Sequence, residues 1–330
     1  MQTTTTDRPT THPTGSTDQR PAAAAGSWRL GDLTVNRIGL GTMRLPQTGA
    51  AFDHLAPPTD RDRDQAVAVL RRAVELGVNH LDTASFYFSP RRSANELINR
   101  ALAPYPADLV IATKVGPSRH PDGSWRPHAG PHELRALVEE NLRQLGRDHL
   151  DLVNLRIVGT DSIAERFAAL AELRTAGLIR HLGLSNVHPH QLAEALPIAP
   201  VVCVQNQYGI GVAPEHDGFV RDCGAQGIAF VPFYAIAAQG RTRGAAGAEH
   251  PELVAVARRH GVSCAQLRIA WTLHRGPHVL AIPGTGDPAH LAENVAAGAL
   301  RLSPAELAVL AEVHQRGAAA EAPSEASAGG

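Results

Sequence analysis

Lysine is all but missing from this chain: Lys114 is the only one, against 30 arginines. Cysteine is scarce too. Cys203, Cys223 and Cys264 are widely spaced and form no CxxC; an odd, scattered set argues against a disulfide framework or a cysteine zinc site and suits a reducing cytoplasm. Neither charge predominates, with 31 cationic and 32 anionic side chains. No basic run interleaved with aromatics is present to grip nucleic acid. No apolar stretch reaches the ~20 residues that span a bilayer. Histidine is plentiful at 17. The pairs His188/His190 and His274/His278 lack cysteine or carboxylate partners at ligand spacing, and HExxH is absent, so capping or solvated imidazoles are expected rather than a metal.

What the chain does have is a rhythm. Short β-rich runs at residues 38–42, 78–82, 109–114, 150–155, 179–184, 201–205, 228–233 and 279–282 alternate with helical patterns at 63–76, 95–103, 132–145 and 162–176. Several of these helices end at a glycine: Gly77, Gly146, Gly177. Strands alternating with helices imply parallel pairing and right-handed crossovers. Eight such units in 330 residues favour an α/β fold of the (β/α)8 TIM-barrel type. A doubly wound sheet is the competing architecture, but Gly39-Leu40-Gly41 lacks the third glycine of GxGxxG. Residues 28–37, with a Gly31-Asp32 turn, read as a β-hairpin plugging the bottom of the barrel. Residues 1–27 and 317–330 are rich in small residues and read as disordered tails around one domain at 28–316, because neither buries enough apolar surface to offset chain entropy. The first lacks the apolar core of a secretory signal.

Barrels of this kind carry their chemistry at the C-terminal ends of the strands. Those ends present Gly41-Thr42-Met43, Asp82-Thr83-Ala84, Lys114, Arg156, Ser185-Asn186, Gln205-Asn206-Gln207, Phe233-Tyr234 and Pro283-Gly284-Thr285-Gly286. Surface is the usual fate of lysine, and codon drift alone can leave one survivor. At a strand end, however, a compact ammonium does what a broad guanidinium does not: it tunes a neighbour as a point charge. Asp82 and Tyr87 supply the neighbours. An ammonium beside a phenol favours the phenolate and lowers a pKa that is ordinarily near 10, and a carboxylate holds the ammonium in place. Such a phenol can give a proton to a carbonyl oxygen while a hydride reaches the carbon.

In order along residues 29–315, Gly39-Leu40-Gly41-Thr42-Met43, Asn79-His80-Leu81-Asp82-Thr83-Ala84 with Tyr87, Ile111-Ala112-Thr113-Lys114, Gly183-Leu184-Ser185-Asn186 and Ile282-Pro283-Gly284-Thr285 resemble the aldo-keto reductase superfamily. Val153-Asn154-Leu155-Arg156 and Gly123-Ser124-Trp125 look most like a bacterial branch with pyridoxal-reductase-like members. The resemblance implies an NADPH-dependent reductase, with NADH as the other candidate, acting on a small-molecule aldehyde or ketone. It implies Tyr87 as proton donor tuned by Lys114 and Asp82. Ser185, Asn186 and Gln205 would hold the nicotinamide carboxamide, Phe233 would lie under its ring, and Gly41, Thr42 and Met43 would line the dinucleotide. Gly284, Thr285, His290, Glu293 and Asn294 would take the adenosine phosphate end, where the N–H groups opening a helix attract anions. Each position also has a plainer reading: Asp82 as a cap, Tyr87 as a rim aromatic, Ser185-Asn186 as a turn, Gln205 as a partner for a loop carbonyl, Phe233 as core.

The chain departs from the family's pattern in three places. Five residues after Asp151, where the family usually has histidine, stands Arg156. An arginine donates but does not shuttle protons. It is expected either to polarise the carbonyl or clamp an anionic or aromatic substrate, or to turn away toward Asp161 or Glu165. Phe88-Ser89-Pro90-Arg91-Arg92 follows Tyr87 where glycine is common. Gly284 and His290 occupy positions that often carry the cations for a 2′-phosphate, which weakens NADPH relative to NADH. Residues 239–249 are short, so closure over the cofactor is expected to be limited. Two other functions fit the same frame: a tailoring enzyme catalysing dehydration, isomerisation or alkene reduction, and a cofactor-binding regulatory subunit. Oligomeric state is open.

Overall fold

The computed structural model describes residues 20–48, 59–60, 62–89, 92–119, 125–126, 128–236 and 249–319. The expected features at Pro90, Arg91, Gly123-Ser124 and most of 239–249 lie outside these residues.

Seven parallel strands form one curled sheet: Leu40–Gly41, His80–Asp82, Val110–Val115, Leu150–Arg156, Ile179–Ser185, Val201–Gln205 and Ala229–Phe230, each beside its sequence neighbour. The expected eighth strand is reduced to two parallel bridges, Phe230 with Val279 and Ile38 with Ala281. These bridges join the seventh strand to the first and close the barrel. Pro232 interrupts the seventh strand, whose pairing resumes in a bridge between Phe233 and Gln207, since proline donates nothing to a ladder. Helices Arg63–Glu75, Ala94–Leu102, Pro131–Leu145, Ala164–Thr175, Pro189–Ala195 and Asp217–Ala225 follow the first six strands. Pro251–His260 and Cys264–Leu273 follow the seventh, Pro288–Ala296 the eighth, and Pro304–Ala319 ends the described chain. Asp62 and Ser93 cap two of them through side-chain oxygens. Gly77, Gly146 and Gly177 take positive φ at the three expected stops.

Strand period sets what points inward. Val110, Ala112 and Lys114 share one face of the third strand, and Leu152, Asn154 and Arg156 one face of the fourth. The lower members of these rows join Cys203, Ala229, Val231 and Leu280 in an apolar cluster inside the barrel. Leu30 and Val35 of the antiparallel hairpin Ser27–Leu30/Leu33–Asn36 complete that cluster, so the hairpin does plug the barrel's N-terminal end. The outward faces pack on the helices; Ile111, Val153, Leu182 and Val204 join Leu70, Ile98, Leu134, Val138 and Phe167 in the larger core.

The domain edges differ from expectation. Pro21–Ala25 is a 3₁₀ turn, not tail: Ala22 is fully buried and its N–H bonds the carbonyl of Leu76 at 2.9 Å. Small alanines fit this close approach, which a composition argument counts as disorder. The last helix continues three residues past 316. Among the described residues, no helix is long and apolar enough to cross a membrane.

Candidate active site

Parity brings Asp82, Lys114, Arg156, Ser185 and Gln205 to the barrel's C-terminal rim. Lys114 is buried, and its Nζ donates to both Asp82 oxygens, at 2.7 Å and 2.8 Å, and to the Thr83 carbonyl at 3.1 Å. The same ammonium lies over the Tyr87 ring, 4.9 Å from its centre. Burial pushes Lys114 down, but the Asp82 carboxylate and Tyr87 outweigh it and hold the ammonium above its ordinary range. A lysine here is therefore a fixed cation.

The expected lowering of Tyr87 is reversed. Burial is the largest influence and raises the phenol above its ordinary value; Lys114 and Arg156 oppose it without winning. The phenol is thus held protonated, beside two cations that stabilise the charge it would acquire on giving up its proton.

Arg156 does not turn away to Asp161 or Glu165. Its Nη1 donates to Ser185 Oγ at 3.1 Å, and its guanidinium carbon lies 4.9 Å from the Phe233 ring centre. No carboxylate pairs with it among the described residues. Phe233 is half-exposed rather than core, and it meets the Tyr234 ring edge-on at 5.2 Å. Asn186 is held at φ 59° and its side chain donates to the Ile157 carbonyl at 3.0 Å. That loop is clamped by Asn206, whose amide bonds both the N–H and the carbonyl of Val187.

Gln205 is 1 % exposed, and its Nε2 donates to Asp82 Oδ1 at 2.7 Å. Its Oε1 is buried without a partner. An unmet acceptor at this depth fits a ligand that brings an N–H donor, as a nicotinamide carboxamide does. The residues present therefore suit that group.

The other positions divide. Thr42 gives its N–H and its hydroxyl to the Asp82 carbonyl, both at 2.9 Å, so it ties the first strand to the second. Gly41 and Gly284 are glycines because their backbones nearly touch: a Cβ on Gly41 would meet the Ile282 carbonyl at 2.8 Å, and one on Gly284 the Gly41 carbonyl at 3.0 Å. Met43 is half-buried at the rim. The helix at Pro288 does not offer free N–H groups as expected. Asp287 caps it, accepting from Ala289 N at 2.7 Å and His290 N at 3.4 Å, and Pro288 has no N–H to give. A carboxylate already fills that anion position. Thr285 Oγ1 accepts from Asp287 N, His290 and Glu293 face outward, and Asn294 is buried.

Sequence reasoning missed the wall behind the site. Thr83 donates to Asn95, Asn95 to Asn141, and Thr113 to Asn141, at 2.7, 2.9 and 2.6 Å. These buried groups lock the Asp82 and Lys114 strands to the two helices outside them. The signal was there: Asn141 falls in the buried stripe Leu134, Val138, Asn141, Leu145.

The family model described as "Aldo/keto reductase family" matches residues 37–315. This chain belongs to that family and is an oxidoreductase. It is 43 % identical over 294 residues to pyridoxine 4-dehydrogenase of Escherichia coli, covering 87 % of this chain and 98 % of that protein. It is 37 % identical over 292 residues to an uncharacterised oxidoreductase of Schizosaccharomyces pombe, covering 88 % and 90 %. Among solved structures it is similar, at 28 % identity and a TM-score of 0.70, to an aldo/keto reductase from Klebsiella pneumoniae in complex with NADP and acetate, covering 85 % of this chain and 92 % of that one.

Proposed function

We propose that this protein catalyses the reversible, NADPH-dependent reduction of an aldehyde or ketone, with Tyr87 as proton donor. The reading is carried by one observation: the lone lysine's ammonium is buried between the Asp82 carboxylate and the Tyr87 phenol. The bound nicotinamide supplies the hydride. Gln205, Ser185 and Asn186 would hold its carboxamide and Phe233 the face of its ring, with Gly41, Thr42 and Met43 along the dinucleotide and residues 284–294 toward its adenosine end. Tyr87 gives its proton to the carbonyl oxygen as charge builds there. Lys114 and Arg156 stabilise the phenolate left behind, in a site where charge interactions are strong. Asp82 holds Lys114 in place.

Arg156 adds a permanent cation at the histidine position, whose partners among the described residues are a hydroxyl and an aromatic face. That arrangement suits a planar aromatic carbonyl compound bearing an acidic hydroxyl, carboxylate or phosphate. Pyridoxal heads the panel to be tested, because pyridoxine 4-dehydrogenase is a relative.

The test is the decay of NADPH absorbance with pyridoxal and with neutral and anionic benzaldehydes. Turnover is expected with anionic aromatic aldehydes. Arg156→Ala should lower kcat/KM for these about 10- to 100-fold more than for neutral ones, the worth of a charge-assisted hydrogen bond. Because burial holds the phenol protonated, reduction should stay level from neutral into mildly alkaline pH and fall only as Tyr87 ionises. The reverse oxidation needs the phenolate and should rise with pH. Product without net loss of NADPH would point instead to a dehydration or isomerisation on the same frame, and an active Tyr87→Phe enzyme would remove Tyr87 as donor.

A further inference from the structure

Asp82 Oδ1 accepts two hydrogen bonds, one from the Lys114 ammonium and one from the Gln205 amide, both at 2.7 Å. The two donors come from strands three places apart in the sheet. The Gln205 amide has no freedom of orientation. A carboxylate only accepts, so Nε2 must face Asp82. A flipped amide would set two acceptors against each other at 2.7 Å. The bond to Asp82 therefore forces Oε1 to the other side, where it is buried and unpaired. One end of this side chain grips the residue that holds the catalytic ammonium, and the other is an acceptor waiting for a donor.

We propose that Gln205 is a positioning residue that couples occupation of the carboxamide pocket to the acidity of Tyr87 through Asp82. The inference rests on the nicotinamide reading above and adds to it. A primary amide N–H on Oε1 polarises the Gln205 amide and strengthens its donation to Asp82. The carboxylate then gives less of its charge to Lys114, and the ammonium gives more of its own to the phenol. The acid is sharpened only when the hydride source is in place. The coupling is reciprocal, so deprotonated Tyr87 favours the bound carboxamide by the same factor.

The groups facing this unit are few. Lys114, Asp82 and Arg156 face the phenol, and Tyr234 faces Arg156. Beneath the ion pair lie His80, which burial holds down to about 4, and Cys203, which burial holds up. His80 is therefore neutral wherever the phenol titrates.

The experiment compares NADP⁺ with its 3-acetylpyridine analogue on the whole protein. Both carry the same ring charge, but the analogue has a methyl group where the carboxamide has NH₂. The readouts are dinucleotide affinity and the pH of phenolate formation, followed by ultraviolet absorbance with the Tyr87→Phe protein subtracted. NADP⁺ is expected to bind about tenfold tighter than the analogue, the worth of one buried hydrogen bond. At saturation it should move the phenolate midpoint at least about half a pH unit further down than the analogue does. Gln205→Met should erase both differences. Equal midpoints with the two saturating dinucleotides overturn the coupling while leaving the cofactor reading intact. So does a Gln205→Met protein that keeps the difference. Failure of the unaltered protein to bind either dinucleotide removes the cofactor reading and the coupling with it. The comparison on unaltered protein decides alone if Gln205→Met does not fold.

Discussion

The two ends of this barrel are built to opposite rules. At the N-terminal end the hairpin seals the interior with Leu30 and Val35, both fully buried. Most of its polar groups are matched: Asp32 pairs with Arg180 and His181, and Asn36 and Asn79 share bonds with each other and with backbone, while the buried Trp28 indole N–H has no partner. At the C-terminal rim the matching stops. Gln205 Oε1 is buried and unpaired. Asn186 and Tyr234 sit at φ 59° and 62°, a region side chains avoid. Arg156 has a hydroxyl and an aromatic face but, among the described residues, no carboxylate. An end that only has to hold the fold together is closed with apolar side chains and pairs most of the polar groups around them. An end that must receive a ligand leaves some groups unmet and tolerates strain.

The widest test of that division is Lys114. At the rim, charge alone should not be enough. Lys114→Arg keeps the cation but places a planar fork in a slot that is 3 % exposed, between Asp82 and Tyr87. A loss in kcat/KM of about 10³-fold is expected, equal to ~4 kcal/mol of transition-state stabilisation. Lys114→Met should lose as much activity and also some 3–5 kcal/mol of stability, because it strands the buried Asp82 carboxylate. Steady-state kinetics beside urea unfolding separates the two. A fully active Lys114→Arg enzyme would make the lysine's singularity an accident of codon use.

How far the sequence reached follows the same physics. The barrel was legible because its signals are local: alternating periods, glycine stops, and one lysine at a strand end. Asp82, Tyr87 and Lys114 were legible because strand parity and short spacings bring them together. The Gln205–Asp82 bond joins residues 123 apart, and no local pattern reports such a pair. The sign of the Tyr87 shift was misread because it depends on how deeply the ring is buried, which only the fold decides. The Asp287-Pro288 opening was read as an anion site, although aspartate followed by proline is also the signature of a helix that caps itself. The Pro21–Ala25 turn was read as tail because small alanines look featureless until something packs on them.

Breaking the other end should have the reverse signature. Leu30→Ala removes a fully buried side chain from the interior cluster. About 2–4 kcal/mol of stability should be lost to transfer and cavity terms, while kcat/KM at a temperature where the protein stays folded changes less than about twofold, no transition-state contact having been removed. Urea unfolding and the NADPH assay measure the two. A large kinetic effect would mean that the plug and the rim are not independent.

The smallest effect sharpens the comparison, because it falls on the wall between the two ends. Thr113 precedes Lys114 and points outward, donating to Asn141 Oδ1 at 2.6 Å. Thr113→Val keeps the shape and the β-branched preference for a strand, and it leaves no orphan, since Asn141 Oδ1 still accepts from Asn95 at 2.9 Å. The loss should be one net hydrogen bond, about 1 kcal/mol, read as a lower urea midpoint with an unchanged slope. Turnover should stay within about twofold if Lys114 is held by Asp82 and not by the wall. Should turnover fall tenfold while the midpoint hardly moves, the outward polar network belongs to the catalytic apparatus, and the boundary between the part that folds and the part that reacts lies one layer further out than the rim.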